Sequence, residues 1–289
     1  MLDKDAFFDE FHIEEEFYKS ELKWEDLSAI YEDYEKRLNA EDDIKALAKD
    51  VVALLDKDKP DAVRAIYGRV KEPKHLIEKI IRKVGIEDVR KYKSINVQNY
   101  TEIVKDLIGI RVLVLAKEEW KEADSQIRKV FQEEFDEPPK AYICYGDRLV
   151  FDEKLIEVEY TNKGYRSQHY IVKHGEYFAE IQVRTLAEEV YGEFDHRARY
   201  PYKQKNKFLI RYSKIVSKSV TELDDLISTC FNINEEILKQ LDEEFKQDNY
   251  VDWSKQTTNR NVQLRTSHNY EKVNSAKELA NQKVLRRGE

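Results

Sequence analysis

The stretch Tyr160–Thr185, YTNKGYRSQHYIVKHGEYFAEIQVRT, determines how the central part of this chain folds. We predict two strands here, from about Tyr165 to Lys173 and from about Tyr177 to Arg184. A polar turn that contains Gly175 joins them. The pattern therefore indicates a β-hairpin, and the rest of the chain is interpreted outward from it.

One face of this hairpin is chemically varied. Because side chains alternate between the two faces of a strand, every second residue shares a face. The polar face holds six side chains: Tyr165, Ser167 and His169 from the first strand, and Glu180, Gln182 and Arg184 from the second. The exposed face of a strand that serves only for packing would more often carry Lys, Thr and Glu. The variety favours a binding or catalytic site.

Composition limits the class of protein. The chain has 289 residues, of which 41% are hydrophobic and 37% charged, enough for one or two domains with a real core. Only 8 Gly and 5 Pro predict long helices, and a net charge of -8 disfavours a generally cationic nucleic-acid surface. No apolar run approaches the roughly 18 residues of a membrane span. The acidic N-terminus lacks signal-peptide character, and two distant cysteines form no disulfide framework, so we predict a cytoplasmic protein.

The pattern of apolar residues predicts an α+β fold, with a mixed sheet flanked by helices and with helical N- and C-terminal extensions. The run DLIGIRVLVLA (106–116) indicates a central strand buried on both faces. Residues 155–160 indicate another strand, and 136–154 an irregular segment. Helices are predicted from Pro73 to about Val84 and over 117–135, 186–199 and 205–247. We divide the chain into an N-terminal helical extension (1–60), a central domain (61–203), a C-terminal helical region (204–248) and a polar tail that is either flexible or loosely helical (249–289).

Two features admit both a structural and a functional interpretation. Basic residues crowd the segment 69–85, among them Lys71, Lys74, Lys79 and Arg82. They form either a solvated helix face or a phosphate-binding wall. Asp106 at the start of the central strand is either a cap or a metal-binding acid.

The segments K-x-P, DLIGIRV, GYRSQHYIV and EIQVRT, followed by a helix with an internal histidine, resemble the synthetase domain of the RelA/SpoT family over roughly residues 69–203. These enzymes transfer the β,γ-pyrophosphate of ATP to the 3′-hydroxyl of GDP or GTP, which yields the alarmones ppGpp and pppGpp. The resemblance implies a nucleotidyltransferase-like synthetase fold. Because no hydrolase motif precedes residue 69, it is the small, synthetase-only type that the chain resembles.

The resemblance also implies roles for individual residues. Asp106 and Glu180 would hold Mg²⁺, and Glu180 would also act as general base on the attacking hydroxyl. Contacts to ATP would come from Lys71, Lys74, Lys79, Arg82, Arg111 and Arg184. Tyr165 would stack on the acceptor base, and the other acceptor-side residues would be Lys163, Ser167, His169 and Gln182.

The acceptor side departs from the family pattern. The basic run that usually precedes the G-Y pair is replaced here by FDEKLIEVEYTNKGY. One alternative is therefore a toxin branch of the family that pyrophosphorylates the tRNA 3′ end or consumes adenine nucleotides. Another is a catalytically inactive regulatory relative, which the presence of both Asp106 and Glu180 disfavours. A tRNA substrate needs a positive patch to hold its phosphates. The candidates either form such a patch or are ordinary solvated surface: Lys203, Lys205, Lys207, Arg211, Lys214 and Lys218. A protein antitoxin and a homo-oligomer stay open as partners.

Overall fold

The structure is a computed structural model that describes residues 2–40, 43–132, 135–161, 164–199 and 206–249. The chain divides into two compact units, Met1–Ile233 and Asn234–Glu289. The sheet and all but the last part of the final helix lie in the first unit. The predicted tail, 249–289, lies outside the described residues except for its first residue.

Four helices precede the sheet and confirm the predicted helical N-terminal extension: α1 (Lys4–Phe11), α2 (Glu14–Ser20), α3 (Trp24–Asn39) and α4 (Ile44–Asp56). An aromatic cluster of α1, α2 and α3 buries Phe7, Phe8 and Phe17 around Trp24. Burial of several aromatic side chains is a large apolar contribution for such short helices. It fixes α1 and α2 on the body of the unit.

Six strands form one mixed sheet in the order β1-β2-β6-β5-β3-β4. Their bounds are β1 (Val63–Val70), β2 (Ile108–Val114), β3 (Phe135–Cys144), β4 (Glu157–Thr161), β5 (Ser167–His174) and β6 (Tyr177–Thr185). The pairs β2–β6 and β3–β4 are parallel, and the others are antiparallel. The predicted α+β class with a mixed sheet is therefore confirmed.

The remaining helices are α5 (Pro73–Gly85), α6 (Tyr100–Ile103), α7 (Trp120–Phe131), α8 (Leu186–Arg199) and α9 (Lys207–Asn249), with short 3₁₀ turns at Arg90–Tyr92 and Lys117–Glu119. Helices α4 and α7 pack on the apolar face of the sheet, and α8 contacts β2 and β6. No helix within the described ranges combines the length and hydropathy that a membrane crossing requires.

The hairpin and the central strand are where the sequence placed them. Every residue of β2 is buried, as expected for an interior strand with both faces covered. Gly175 supplies the positive φ of 62° that the β5–β6 turn requires. The first hairpin strand begins at Ser167 and not at Tyr165, so Tyr165 lies in the segment that leads into β5.

Two strands were missed. The stretch 136–154, predicted to be irregular, contains most of β3, because pairing with β4 and β5 overrides the strand-breaking tendency of Pro138 and Pro139. The β3–β5 register shifts between Glu137 and Lys140, and prolines are tolerated in sheets at such bulges. The stretch 61–67, to which no element was assigned, forms most of β1.

Helix α9 presents an unusual buried face. The side chains that it buries in the first unit are mostly small or polar: Ser213, Ser217, Val220, Asp224 and Ser228. Asp224, which is fully buried, accepts a hydrogen bond from the Thr185 hydroxyl (2.9 Å) at the start of α8. Thr185 and Glu188 also form a reciprocal cap of α8, because each backbone N–H donates to the other's side chain. The contact therefore ties α9 to the end of strand β6.

Candidate active site

The parallel pairing of β2 with β6 brings the predicted polar residues onto one face of the sheet. Glu180 pairs with Gly109, and Gln182 pairs with Arg111. On the other side of β6, His169 of β5 pairs with Gln182. The residues of one face thus come from three adjacent strands, and the glycine leaves space next to the acid.

Glu180 is held by its neighbours through both carboxylate oxygens. His169 Nδ1 lies 3.0 Å from Oε1, and Gln182 Nε2 donates to Oε2 at 2.5 Å. His169 Nε2 lies 2.7 Å from the hydroxyl of Tyr165. The predicted face is therefore a connected hydrogen-bond network, which fixes the rotamers of its members.

Tyr165 and Arg184 complete this network. Arg184 Nη2 donates to the Tyr165 hydroxyl (2.9 Å) and to Gln182 Oε1 (2.8 Å), and its guanidinium also lies over the Tyr165 ring, 4.9 Å from the centroid. The Tyr165 hydroxyl donates to Gln182 Oε1 at 3.1 Å. The rings of Tyr142 and His169 meet the Tyr165 ring edge-on. Tyr165 is thus rigidly placed before any ligand binds.

The network sets the charges of its members. Burial alone would lower the pKa of His169, but Tyr165 and Glu180 raise it to about 9. Burial alone would raise the pKa of Glu180, but the facing His169 lowers it to about 2. At neutral pH His169 is therefore an imidazolium that donates from both ring nitrogens, and Glu180 is a carboxylate.

Asp106 precedes β2 and faces two ammonium groups. Lys79 Nζ lies 2.6 Å from Oδ1, and Lys71 Nζ lies 3.0 Å from Oδ2. Burial disfavours the charged carboxylate, yet Lys79 and Lys71 hold the pKa of Asp106 well below its usual value. Asp106 is therefore ionised across the physiological range.

A cleft of about 290 Å³ opens beside these groups. Its lining combines acids and cations: Arg69, Lys71, Glu72, His75, Asp106, Arg111, Glu180 and His196, with Val70 and Gly109. Residues of three strands, of the segments that follow β1 and precede β2, and of helices α5 and α8 thus meet around one cavity. Its mixed charge suits a polyphosphate bound with a divalent cation.

Glu189 lies on α8 behind the cleft and contacts both arginines of the sheet face. Its Oε2 is 2.7 Å from Arg184 Nη1 and 3.3 Å from Arg111 Nε. Its Oε1 accepts the hydroxyl of Tyr67 at 2.5 Å. Helix α8 approaches closely enough only because residue 192 is glycine, where a Cβ would overlap the Arg184 guanidinium.

Three of the predicted residues lie outside both the cavity lining and the hydrogen-bond network of Glu180. Lys74 pairs with Glu10 at 2.5 Å, and the Arg82 guanidinium is held by Glu78 and Glu87, so both contact carboxylates away from the cavity. Ser167 is fully buried, and its hydroxyl donates to the backbone carbonyl of Val183 at 3.3 Å. Lys163, another of the predicted residues, lies outside the described residues.

Comparison with known protein families identifies the middle of the chain. Residues 68–206 match the model described as "Region found in RelA / SpoT proteins". The middle of the chain is a RelA/SpoT region. The RelA/SpoT region contains all six strands except the first five residues of β1, together with α5 to α8. Every residue of the cleft lies inside this region.

Several solved structures of low sequence identity are similar to this chain. The small alarmone synthetase 1 of Bacillus subtilis is 19% identical, covers 74% of this chain and 98% of its own, with a TM-score of 0.44. The same protein "bound to its product pppGpp" is 20% identical over 72% and 96% of the two chains, with a TM-score of 0.43. A "GTP Pyrophosphokinase Family Protein" of Streptococcus pneumoniae is 20% identical over 75% and 96%, with a TM-score of 0.43. No curated protein matches the chain.

Sequence reasoning assigned no role to four residues that the RelA/SpoT region brings to the site. Arg69, His75 and His196 line the cleft, and Glu189 contacts its arginines. Arg69 shares the β1 alternation that turns Tyr67 to the same face, a signal hidden because β1 was not predicted. Glu189 follows the EIQVRT motif by four residues, one turn into α8, and that spacing alone returns it to the strand.

The residues of the cleft fit a divalent cation. Asp106 and Glu180 both line the cavity and both are ionised, and hard cations prefer carboxylate oxygens. No cluster of three or more His, Cys, Asp or Glu ligands occurs in the described part of the chain. Two carboxylates with nucleotide phosphates and water are the usual ligands of Mg²⁺, so the shortage of protein ligands suits this ion.

Proposed function

We propose that this protein is an ATP-dependent pyrophosphokinase. It would transfer the β,γ-pyrophosphate of ATP to the 3′-hydroxyl of GDP or GTP, giving ppGpp or pppGpp and AMP. The observation that carries the proposal is the cleft itself, where Asp106 and Glu180 meet Lys71 and Arg111 inside the RelA/SpoT region. These are the charges that phosphoryl-type transfer requires.

The cations of the cleft support the donor half of the reaction. Lys71, Arg69 and Arg111 line the cavity, and Lys79 lies next to it on Asp106. Triphosphate chains carry several negative charges, and both Arg and Lys neutralise them through charge-assisted hydrogen bonds. A bound Mg²⁺ held by Asp106 and Glu180 would neutralise the charge that develops as the α,β-bridging oxygen leaves.

The acceptor half centres on Glu180 and Tyr165. In the transfer, the 3′-oxygen bonds to the β-phosphorus, the bridging oxygen departs with AMP, and the hydroxyl proton is lost. A pKa near 2 makes Glu180 a weak base, because proton abstraction is most efficient when the pKa lies near the working pH. The same pKa keeps Glu180 charged, which suits it to orient the hydroxyl and to bind the metal. Tyr165 would hold the acceptor base.

A second acceptor, the 3′ end of tRNA, is favoured by one observation. The first half of α9 exposes four cations, Lys207, Arg211, Lys214 and Lys218, that have room for phosphates. Lys203 and Lys205, predicted for the same patch, lie outside the described residues. The acidic net charge of -8 favours a small nucleotide over RNA for the rest of the surface. A tRNA-modifying enzyme of this kind would require a neutralising partner protein in the cell.

The test supplies purified protein with Mg²⁺ and γ-labelled ATP, and separately with GDP, GTP, ATP or deacylated tRNA as acceptor. Label on guanine nucleotides together with release of AMP supports the proposal, whereas label on tRNA alone replaces it with the second acceptor. No transfer to any acceptor refutes a pyrophosphokinase. Glu180→Gln is expected to lose at least about a hundredfold in kcat, because the charge that orients the hydroxyl and binds the metal is removed. Glu122→Gln, an equal change of charge on the exposed face of α7, serves as the matched control.

A further inference from the structure

Within the described residues, Glu189 is the one acid that contacts both a cation of the cleft lining, Arg111, and a cation of the Tyr165 network, Arg184. Arg111 borders the cavity assigned to ATP, and Arg184 belongs to the Tyr165 network on the acceptor side. The same carboxylate oxygen, Oε2, lies within 3.3 Å of both guanidinium groups. Only 7% of Glu189 is exposed. Glu189 thus joins two buried arginines, and helix packing alone does not explain this contact.

Electrostatics gives the first part of that reason. Arg111 and Arg184 lie on the same face of neighbouring strands, and both are nearly buried. Burial lowers the pKa of Arg111, Arg184 lowers it further, and Glu189 opposes both effects. Without a carboxylate between them the two guanidinium groups would repel each other in a medium of low polarity, and one of them would turn away.

Geometry gives the second part. Glu189 Oε2 lies 3.3 Å from Nε of Arg111, and Arg111 also lines the cavity, so Glu189 contacts a guanidinium that borders the site. Glu189 takes Nη1 of Arg184, so Nη2 is free to donate to Tyr165 and Gln182. Tyr67 fixes the other carboxylate oxygen, Oε1. The orientation of each arginine is thereby set from behind the site.

We propose that Glu189 is a positioning residue that aims Arg111 at the ATP phosphates and Arg184 at the acceptor-side tyrosine. The proposal rests on the proposed function for the names of the two ligands. Glu189 itself touches neither substrate, and it acts through the two arginines. Loss of its charge therefore weakens binding of both nucleotides, although the residue belongs to neither binding surface.

The test measures ATP binding by calorimetry without acceptor, and the acceptor KM in the transfer assay. We expect Glu189→Gln to weaken ATP binding about tenfold and to raise the acceptor KM by a similar factor. Glu122→Gln is expected to change neither by more than about twofold. Values for Glu189→Gln within about twofold of the wild type would overturn the proposal.

A double-mutant cycle separates positioning from mere folding. If Glu189 acts on ATP through Arg111, then Glu189→Gln adds less than about twofold to the loss caused by Arg111→Gln, whereas independent effects multiply. Multiplying effects would refute the role. Should Glu189→Gln not fold, Tyr67→Phe removes only the Oε1 contact and is expected to weaken ATP binding about threefold. Unchanged binding in Tyr67→Phe would then count against the proposal.

Direct binding also keeps this inference separate from the reaction. A wild-type protein that binds ATP but transfers pyrophosphate to no acceptor refutes the proposed function and leaves the ATP part of the Glu189 test intact. An active wild type whose Glu189→Gln variant binds both nucleotides normally supports the proposed function and refutes the positioning role of Glu189.

Discussion

Lys79 and Asp106 are paired at 2.6 Å, and the second oxygen of the same carboxylate is 3.0 Å from Lys71. One acid therefore balances two ammonium groups that lie largely out of solvent. Burial lowers the pKa of Lys71, an effect that the neighbouring Lys79 reinforces and Asp106 opposes. The arrangement places two cations beside the cleft, and Asp106 contributes to the stability of the fold by balancing their charge.

Asp106→Asn is expected to lower the free energy of unfolding by about 2 kcal/mol, because two ammonium groups then face each other without a counter-charge. Thermal unfolding would show this as a fall in Tm of about 5 °C. The double variant Asp106→Asn/Lys79→Met should regain most of that stability and yet remain inactive. Recovery of activity in the double variant would show that Asp106 serves only to balance the lysines.

Lys71 and Lys74 were both predicted to contact ATP, and the structure separates them. Lys71 lines the cleft, whereas Lys74 pairs with Glu10 and is 45% exposed. Lys71→Ala is expected to raise the KM for ATP about tenfold through loss of a charge-assisted contact. Lys74→Ala should change it less than about twofold. Steady-state kinetics with ATP varied at saturating acceptor distinguishes them, and equal effects would contradict the assignment of the cleft.

Tyr165 offers a ring and a hydroxyl whose roles can be measured separately. Tyr165→Phe keeps the ring but removes the hydroxyl that contacts His169 and Arg184. Tyr165→Ala removes the stacking surface as well. If the ring holds the acceptor base, the acceptor KM rises about tenfold more in the alanine variant than in the phenylalanine variant, since stacking contributes about 1–3 kcal/mol per base. A similar KM in both variants would exclude stacking.

Asp224 gives the protein a pH-dependent stability. Burial and the nearby Glu188 raise its pKa to about 7, while Thr185 and Lys117 favour its charged form. Asp225 on α9 also faces it, and Lys117 pairs with Asp225 at 2.9 Å. Because the folded pKa lies above the unfolded value of about 3.9, the contribution of Asp224 is full below pH 4 and is lost as the pH rises through 7.

The corresponding measurement is Tm as a function of pH from 5 to 9 for the wild type and for Asp224→Asn, which keeps the contact to Thr185 without the charge. The difference between the two proteins is expected to shift in favour of the variant as the pH rises from 5 to about 7, and to be level at higher pH. Groups far from Asp224 titrate alike in both proteins and cancel in this difference, whereas the nearby Glu188 contributes to it. A difference that is constant with pH would show that Asp224 does not titrate in this range.

The sequence was most informative where backbone pattern and chemistry coincide. The alternation in β6 predicted the face of Glu180 and Gln182, and the structure joins these two residues directly. The apolar run of β2 predicted an interior strand, which is what the sheet order requires. In both cases a local period determines the result, so no knowledge of distant contacts is needed.

Prediction failed where tertiary partners decide. Pro138 in β3 is accommodated by a shift of register that depends on the neighbouring strand. Arg82 and Lys79 lie on the same basic helix, and the sequence pattern does not distinguish them. In the structure Arg82 forms ion pairs with Glu78 and Glu87 instead of facing the cleft. Which cation of a charged helix points to a ligand depends on the distribution of acids around it, and one-dimensional patterns do not contain that information.

Gly192 sets local helix stability against catalysis. Alanine in the middle of a helix is favoured over glycine by about 1 kcal/mol, so a substitution here would ordinarily strengthen α8. At this residue an added methyl group would overlap the guanidinium of Arg184. Three hydrogen-bond partners hold that guanidinium in place, so the overlap would distort these contacts. Engineering for thermostability by filling helix glycines would therefore inactivate the protein at a residue that carries no chemistry of its own.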